Sequence, residues 1–420
     1  MSVDKIKELV RKHFEELESK EEFVPGATTI PTMGLPFGHE EVNEAIDSLL
    51  STYVTMGGKV KKFEGMFANY SQTKHGIMVN SGSSANLLAL SILTNPVLKD
   101  RIKEKEEIIT PATTWVTTVY PISNVGATPV FVDVNLDFNI NPELIEKAIT
   151  EKTRAIMPVH LIGNPCDMKR IMEIAEDNDL FVIEDACEAH GAEVNGKKIG
   201  SFGDLSTFSF FFSHHITTIE GGMIMTNNDE YMEIARMMRA FGWIRDVDNK
   251  NEIALKYPHI DPRVLFVNMG FNVRPTELNA SFGLHQLGKI EDLIKMKSEN
   301  AKYWNKRLDK YSEWLVIPEE RKGTRHSWFV YPLIVKPNAP FTRDEFTKFL
   351  ENKKIETRLV AAGDITQQPV IDFIPHKKSG RFENSEIIMK GSFFFGNHSG
   401  IKKPQREYIA DTIDEFMKRF

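Results

Sequence analysis

Apolar residues recur along this chain in two periods, helical near the ends and strand-like through the middle. At the start, Ile6, Leu9, Val10, Phe14 and Leu17 fall at helical spacing with charges between them. This predicts an amphipathic arm within residues 1–25 that packs on the body or on a partner subunit. Residues 22–38 carry Pro25, Gly26, Pro31, Gly34, Pro36 and Gly38 and read as a connector. From about residue 40 to 225, short apolar runs alternate with helical stretches. IMVNSG (77–82) precedes SSANLLALSIL, EEIITPA (106–112) precedes WVTTVYPISN, and PVFVDV (129–134) precedes PELIEKAI. AIMPVHL (155–161) precedes MKRIMEIAEDN, and LFVIEDA (180–186) runs into a loop. The alternation predicts an α/β fold with a mainly parallel central sheet flanked by helices, and a ligand crevice at the C-terminal ends of its strands. After residue 276 the pattern changes to helices over 276–312, a strand in WFVYPLIV (328–335), and helices over 343–354 and 403–420. The expected division is an arm (1–25), a large domain (26–290) and a smaller C-terminal α+β domain (291–420).

Charge and cysteine content narrow the function classes. Among 420 residues, 52 Lys plus Arg stand against 59 Asp plus Glu, a net charge of −7. That argues against a nucleic-acid or anionic-membrane surface, whose footprint would be basic. No apolar run approaches the ~18 residues needed to cross a bilayer. The charged start lacks a signal peptide's apolar stretch, which leads to the expectation of a cytoplasmic protein. Two cysteines, Cys166 and Cys187, supply neither a disulfide framework nor a four-Cys metal site.

Four segments carry candidate chemistry. In NSGSSAN (80–86), a strand end meets a glycine, hydroxyls and a helix start. Gly82 lets the backbone approach an anion, and Ser83 and Ser84 add hydroxyl donors, although serine capping of a helix reads the same way. Asp185, at the end of an apolar strand, points a carboxylate into the crevice, where it could hold a ring nitrogen protonated. Glu188 follows three residues on, within reach of a neighbouring ring substituent; a pair of solvated loop carboxylates is the plainer alternative. In FSFFFSHHITTIEGG (208–222), Ser209 and Ser213 bracket an aromatic run before His214 and His215. Adjacent histidines rarely both chelate one ion, so no metal site is expected, and either ring could be a core histidine bonded to backbone. Trp115, in PATTW (111–115), follows a strand end, where an indole could stack on a flat ring or simply pack.

In this order the residues resemble the DegT/DnrJ/EryC1/StrS family of pyridoxal-phosphate-dependent sugar aminotransferases, of fold type I, from about residue 30 to the C-terminus. The resemblance implies that Gly82, Ser83, Ser84 and Ser209 bind the cofactor phosphate, that Asp185 pairs with the pyridine nitrogen, with Glu188 nearby, and that Trp115 stacks on the ring. It also implies a homodimer in which Asn272, in GFNVRP (270–275), reaches the phosphate of the other subunit.

One position departs from that pattern. Where the family carries its Schiff-base lysine this chain has His214, and no lysine occurs between Lys198 and Lys250. Such a change is the hallmark of the nucleotide-sugar 3-dehydratases within the family. It implies non-covalent pyridoxamine or pyridoxal 5′-phosphate, His214 as base, a nucleotide-sugar substrate and L-glutamate as amino donor. SHHITTIEGG, RAFGW (239–243), GFNVRP and FFGNH (394–398) are most similar to the enzymes acting on GDP-4-keto-6-deoxy-D-mannose. The arm, SGSSANLLAL and ETRLVAAGDITQQP (356–369) are as similar to the iron–sulfur enzymes acting on CDP-4-keto-6-deoxyglucose. A [2Fe–2S] cluster needs about four soft ligands, and WIRDVDNKNEIALKYPHIDPRV after Gly242 contains no cysteine. The expectation is therefore a dehydratase without an iron–sulfur cluster, serving 3,6-dideoxy sugar synthesis. An iron–sulfur-type dehydrase, a nucleotide-sugar aminotransferase and a non-catalytic binding paralogue are the alternatives. His215, Arg245, Arg274, Arg358 and His398 are candidates for contacts to sugar, pyrophosphate or glutamate. Phe241, where the GDP-type relatives carry histidine, weakens any transfer of sugar contacts at that motif.

Overall fold

A computed structural model describes residues 2–19 and 23–420. Its centre is an eight-stranded sheet in the order His75–Val79, Gly222–Thr226, Leu205–Ser209, Phe181–Asp185, Thr153–Ile156, Glu107–Pro111, Thr128–Val132 and Lys377–Lys378. Gly222–Thr226 runs antiparallel to both neighbours, and the other pairings are parallel. All five apolar runs read as strands lie in this sheet. They are apolar without strict alternation because both faces are covered. Successive side chains point to opposite faces: Met78 and Val182 join a core with Phe63, Phe67, Phe208 and Phe210, while Val79 and Ile183 join a second core with Leu88, Ile92 and Met238.

The C-terminal layer is a four-stranded antiparallel sheet, ordered Leu315–Val316, Tyr331–Val335, Ser392–Phe395, Thr357–Arg358. Helices Ile290–Leu308, Arg343–Asn352 and Lys403–Met417 pack on it around Trp304, Tyr331, Phe346, Phe395 and Phe416. Thr342 and Glu345 form a reciprocal capping box, each accepting from the other's backbone N–H (3.2 and 2.8 Å), which fixes where the second helix starts. Two short pairings tie distant segments together, the first between the connector and this layer and the second between a C-terminal segment and the large sheet. Ile30 bridges Ile355, and Lys377–Lys378 extends the large sheet beside Thr128–Val132. Glycine and proline in the connector gave no sign of the first, and a two-residue strand carries no period by which sequence could reveal the second.

The arm forms a helix over Val3–Ser19. It packs on the body through Lys7, whose Nζ lies 2.6 Å from Asp47, and through Phe14 against Phe37, itself edge-on to Phe282. Residues 1 and 20–22 of the expected arm lie outside the described residues. Among the described residues no helix is long and apolar enough to cross a membrane.

Trp304 anchors the small core. It is fully buried, its ring lies 4.9 Å from Tyr331 and 5.0 Å from Phe395, and its Nε1 donates to the Arg406 carbonyl at 3.0 Å. Trp304→Ala is expected to cost about 3–5 kcal/mol, read as a lower urea midpoint at unchanged m.

Candidate active site

The site is built where three strands of the large sheet end together. Val79 and Ser209 both pair with Gly222, so the ends of their strands stand side by side. Helix Gly82–Leu93 starts at that edge, with Ser81 as its cap accepting from the Ser84 N–H at 3.1 Å. A Cβ on Gly82 would stand 2.5 Å from Ser209 Cβ and 3.2 Å from Cys187 Sγ, so only glycine lets the helix end come this close. The N–H groups of the first turn have no intrahelical acceptors and sit at the positive end of the helix dipole. With the hydroxyls of Ser83 and Ser209 they make a corner of donors suited to an anion. Gly82, Ser83 and Ser209 line a cavity of about 1870 Å³ between the two layers. The Ser84 hydroxyl instead accepts from Ser81 Oγ at 3.0 Å.

Asp185 lines the same cavity at 4% exposure. Its Oδ2 accepts from Asn86 Nδ2 (3.0 Å) and Thr118 Oγ1 (2.8 Å), and its Oδ1 from the Cys187 N–H (3.2 Å). Asn86 is oriented in turn by Thr207, whose hydroxyl donates to its Oδ1 at 2.6 Å. The carboxylate is thereby aimed, with capacity left on Oδ1 for a donor from the cavity. Glu188 accepts from the Ile162 N–H at 2.7 Å, and burial pushes its carboxyl up to about 7, with the Asp185 charge adding to the rise. Trp115 caps helix Val116–Asn124 and stays 54% exposed, its indole on the cavity wall.

The loop from Ser209 to Gly222 carries the two histidines. His214 stacks on Phe329 with ring centroids 5.0 Å apart and planes 22° apart, and its Nδ1 is buried without a hydrogen-bond partner. Burial, with the Lys297 charge behind it, holds its imidazole down at about 4. It is therefore neutral at ordinary pH, a base with a free lone pair. His215 is buried, and its Nε2 lies 2.9 Å from the Ser327 carbonyl, which it meets as a donor. His190 packs beside both rings and is held neutral chiefly by burial.

Several sequence candidates stand elsewhere. Arg358 and His398 reach the cavity wall, His398 with its Nε2 3.0 Å from the Pro31 carbonyl. Arg245 lies over Trp243, and Arg274 lies over Phe241 with its Nε donating to Asn272 Oδ1 at 3.1 Å; these residues do not line the cavity of their own chain. Sequence reading missed Thr118, Thr207, Phe329 and Lys297. The first two are polar residues in apolar stretches, a pattern that alone does not distinguish a carboxylate's support from ordinary packing. Lys297 sits in a charged helical run, KMKSEN, indistinguishable there from a solvated face.

Residues 37–414 match the DegT/DnrJ/EryC1/StrS aminotransferase family. The chain belongs to that family. Lipopolysaccharide biosynthesis protein RfbH of Salmonella typhimurium is 34% identical across 98% of this chain and 97% of its own length. The GDP-4-keto-6-deoxy-D-mannose 3-dehydratase of Yersinia pseudotuberculosis is 38% identical across 88% of this chain and 94% of its own. The solved E. coli GDP-4-keto-6-deoxy-D-mannose-3-dehydratase with bound hydrated PLP superposes with a TM-score of 0.86 at 32% identity, covering 92% of this chain and 99% of that one. This DegT/DnrJ/EryC1/StrS chain thus has the fold type I architecture that the family resemblance implied, with the mainly parallel sheet expected from its strand–helix alternation. Among the described residues no group of three or more His, Cys, Asp or Glu is placed to hold a metal ion.

Glu188 gives the site a pH signature. Between about 4.5 and about 7 its carboxyl is protonated in the folded protein and ionised in the unfolded chain. Unfolding then releases a proton from this group, so its contribution to stability falls as pH rises through that window. The buried histidines held neutral, His190, His214 and His215 among them, contribute the opposite slope below about 6.5, so the Glu188 contribution is read as a difference. Relative to Glu188→Gln, the melting temperature of the cofactor-free protein is expected to fall as pH rises from about 4.5 to about 7.

Proposed function

We propose that the protein is a pyridoxamine/pyridoxal-phosphate-dependent nucleotide-sugar 3-dehydratase. In this reading it removes the C3 hydroxyl of an NDP-4-keto-6-deoxyhexose, GDP-4-keto-6-deoxy-D-mannose foremost, and L-glutamate restores the amine form of the cofactor. The product would feed 3,6-dideoxy sugar synthesis for surface polysaccharide, and the enzyme would act in the cytoplasm. What carries the reading is His214, a neutral imidazole with an unpartnered Nδ1, in the cavity shared with Asp185 and the Gly82 corner.

The residues present fit the cofactor. The Gly82 corner, Ser83 and Ser209 would hold a phosphate, Asp185 would accept the N–H of a protonated pyridine, and Trp115 would cover the ring. When bound, pyridoxamine 5′-phosphate supplies a primary amine for the C4 ketone and a conjugated ring that accepts an electron pair. Histidine offers no primary amine, so position 214 would hold the group by non-covalent contacts alone. Asp185, aimed by Asn86, Thr118 and the Cys187 N–H, would favour the protonated ring. An imidazole nitrogen of His214 accepts a proton and returns it to the departing C3 hydroxyl, which leaves as water. Phe329, stacked on the ring, keeps the imidazole in place across both transfers.

A homodimer is the proposed active form. Asn272 and Arg274 do not line their own chain's cavity, and they follow a segment on which Val264, Phe266 and Met269 are exposed, Met269 at 86%. A second copy covering these apolar residues would bring Asn272 to the neighbouring phosphate site. Phe266→Glu with Met269→Glu is expected to yield monomers in sedimentation and to lower activity in proportion.

The deciding experiment incubates the purified enzyme with GDP-, CDP- and dTDP-4-keto-6-deoxyhexoses and L-glutamate, and analyses the products. A 3-deoxy sugar and ammonia, formed only with glutamate, are expected; an accumulating amino sugar, or no deoxygenation, overturns the reading. His214→Asn should lower kcat on the order of 100-fold or more. Since His214 acts as the neutral base, kcat/KM should hold as pH falls past 6.5 and fail as it nears about 4.

A further inference from the structure

The cavity that Asp185 lines also carries a cation that nothing in the proposed reaction yet uses. Lys297 lies mid-way along helix Ile290–Leu308, is 5% exposed, and lines the cavity together with His214, His215 and His398. Its Nζ donates to the Phe329 carbonyl at 2.9 Å, so one of three donor hydrogens is spent. Among the described residues no carboxylate stands within ion-pair distance of that nitrogen. The titratable groups that feel its charge are the three imidazoles, His214 and His215 from the loop after Ser209 and His398 from the segment after Ser392–Phe395. None of them supplies a negative charge.

A buried ammonium without a counter-ion is costly, and the cost is recovered when a ligand brings an oxyanion to it. Phe329 fixes where that oxyanion would lie, since its carbonyl holds Lys297 while its ring stacks on His214. The anion must therefore sit close to the atoms on which His214 acts. An amino-acid donor's α-carboxylate is one bond from its reacting carbon, whereas a nucleotide sugar's diphosphate is several bonds from C3.

We propose that Lys297 is an oxyanion subsite that binds a carboxylate of the amino-acid donor. The assignment rests on the dehydratase reading and adds to it the residue that recognises L-glutamate. A second property of the site agrees. Burial lowers the Lys297 ammonium to about 7, so the empty cavity holds it partly neutral and a bound carboxylate draws a proton onto it. Carboxylate affinity is then greatest below that pH and falls above it.

The two half-reactions test the subsite separately, glutamate with the pyridoxal form and nucleotide sugar with the pyridoxamine form, each followed by cofactor absorption. Lys297→Met is expected to raise KM for L-glutamate by roughly 10- to 100-fold, to leave KM for the sugar within about twofold, and to melt no lower than wild type. Lys297→Arg, which keeps the charge, should recover part of the loss. On wild-type enzyme alone, KM for L-glutamate should rise as pH passes about 7, a rise that Lys297→Met lacks. An unchanged glutamate KM in Lys297→Met, or a defect confined to the sugar half-reaction, overturns the carboxylate assignment. A wild-type enzyme that does not react with L-glutamate at all strikes the dehydratase reading instead.

Discussion

Two adjacent carboxylates at the end of the strand Phe181–Asp185 set the geometry of everything near the cavity. Side chains alternate along a strand, so Glu184 and Asp185 point to opposite faces. Glu184 is fully buried, and its oxygens accept from the N–H groups of Gly200, Phe202 and Gly203 (2.8–2.9 Å) and meet His160 Nε2 at 3.2 Å. Burial alone would raise its carboxyl, but His160 and the backbone donors outweigh burial and hold it below the usual range. The ionised group clamps the turn that feeds the strand Leu205–Ser209. That strand delivers Ser209 to the anion corner and launches the loop that carries His214. On the other face, Asp185 takes its support from Asn86, four residues into the helix whose N-terminus makes the same corner. One strand end thereby fixes the spacing between the proposed phosphate corner, the proposed partner of the ring nitrogen and the proposed base.

Such coupling explains which parts of the molecule were legible in the sequence. Five strands of the large sheet could be read because, buried on both faces, they are apolar runs, one of them ending in a residue too polar for a core, Asp185. The helices of the C-terminal layer could be read from their periods. The short pairings at Ile30 and at Lys377–Lys378 could not, because they depend on where distant segments dock rather than on local pattern. Within the site, residues close in sequence to strand ends were visible: Gly82, Ser83, Asp185, Ser209 and His214 all line one cavity. Thr118, Thr207, Phe329 and Lys297 were not, since each acts by facing another element, and a single sequence carries no record of facing. Family resemblance supplied the assignment of His214 as base, because two adjacent histidines are chemically alike until burial and partners distinguish them. Both Nδ1 atoms lack a partner, but the structure gives His215 Nε2 a backbone acceptor at Ser327, whereas among the described residues no side-chain hydrogen bond engages His214.

The electrical character of the cavity bears on the identity of residue 214. Its lining carries the Asp185 and Glu188 carboxyls as well as Lys297 and the imidazoles of His214, His215 and His398. Burial disfavours every charged form, so the imidazoles are neutral and Lys297 is lowered towards neutrality. A lysine at position 214 would meet the same burial and the same neighbouring amine. It would be driven towards its neutral, nucleophilic form, the state that bonds covalently to an aldehyde. Imidazole in that place is also neutral and basic, yet it forms no lasting bond with a carbonyl. One electrostatic environment thus suits either chemistry, and the side chain at 214 selects between holding a carbonyl compound covalently and shuttling a proton beside it.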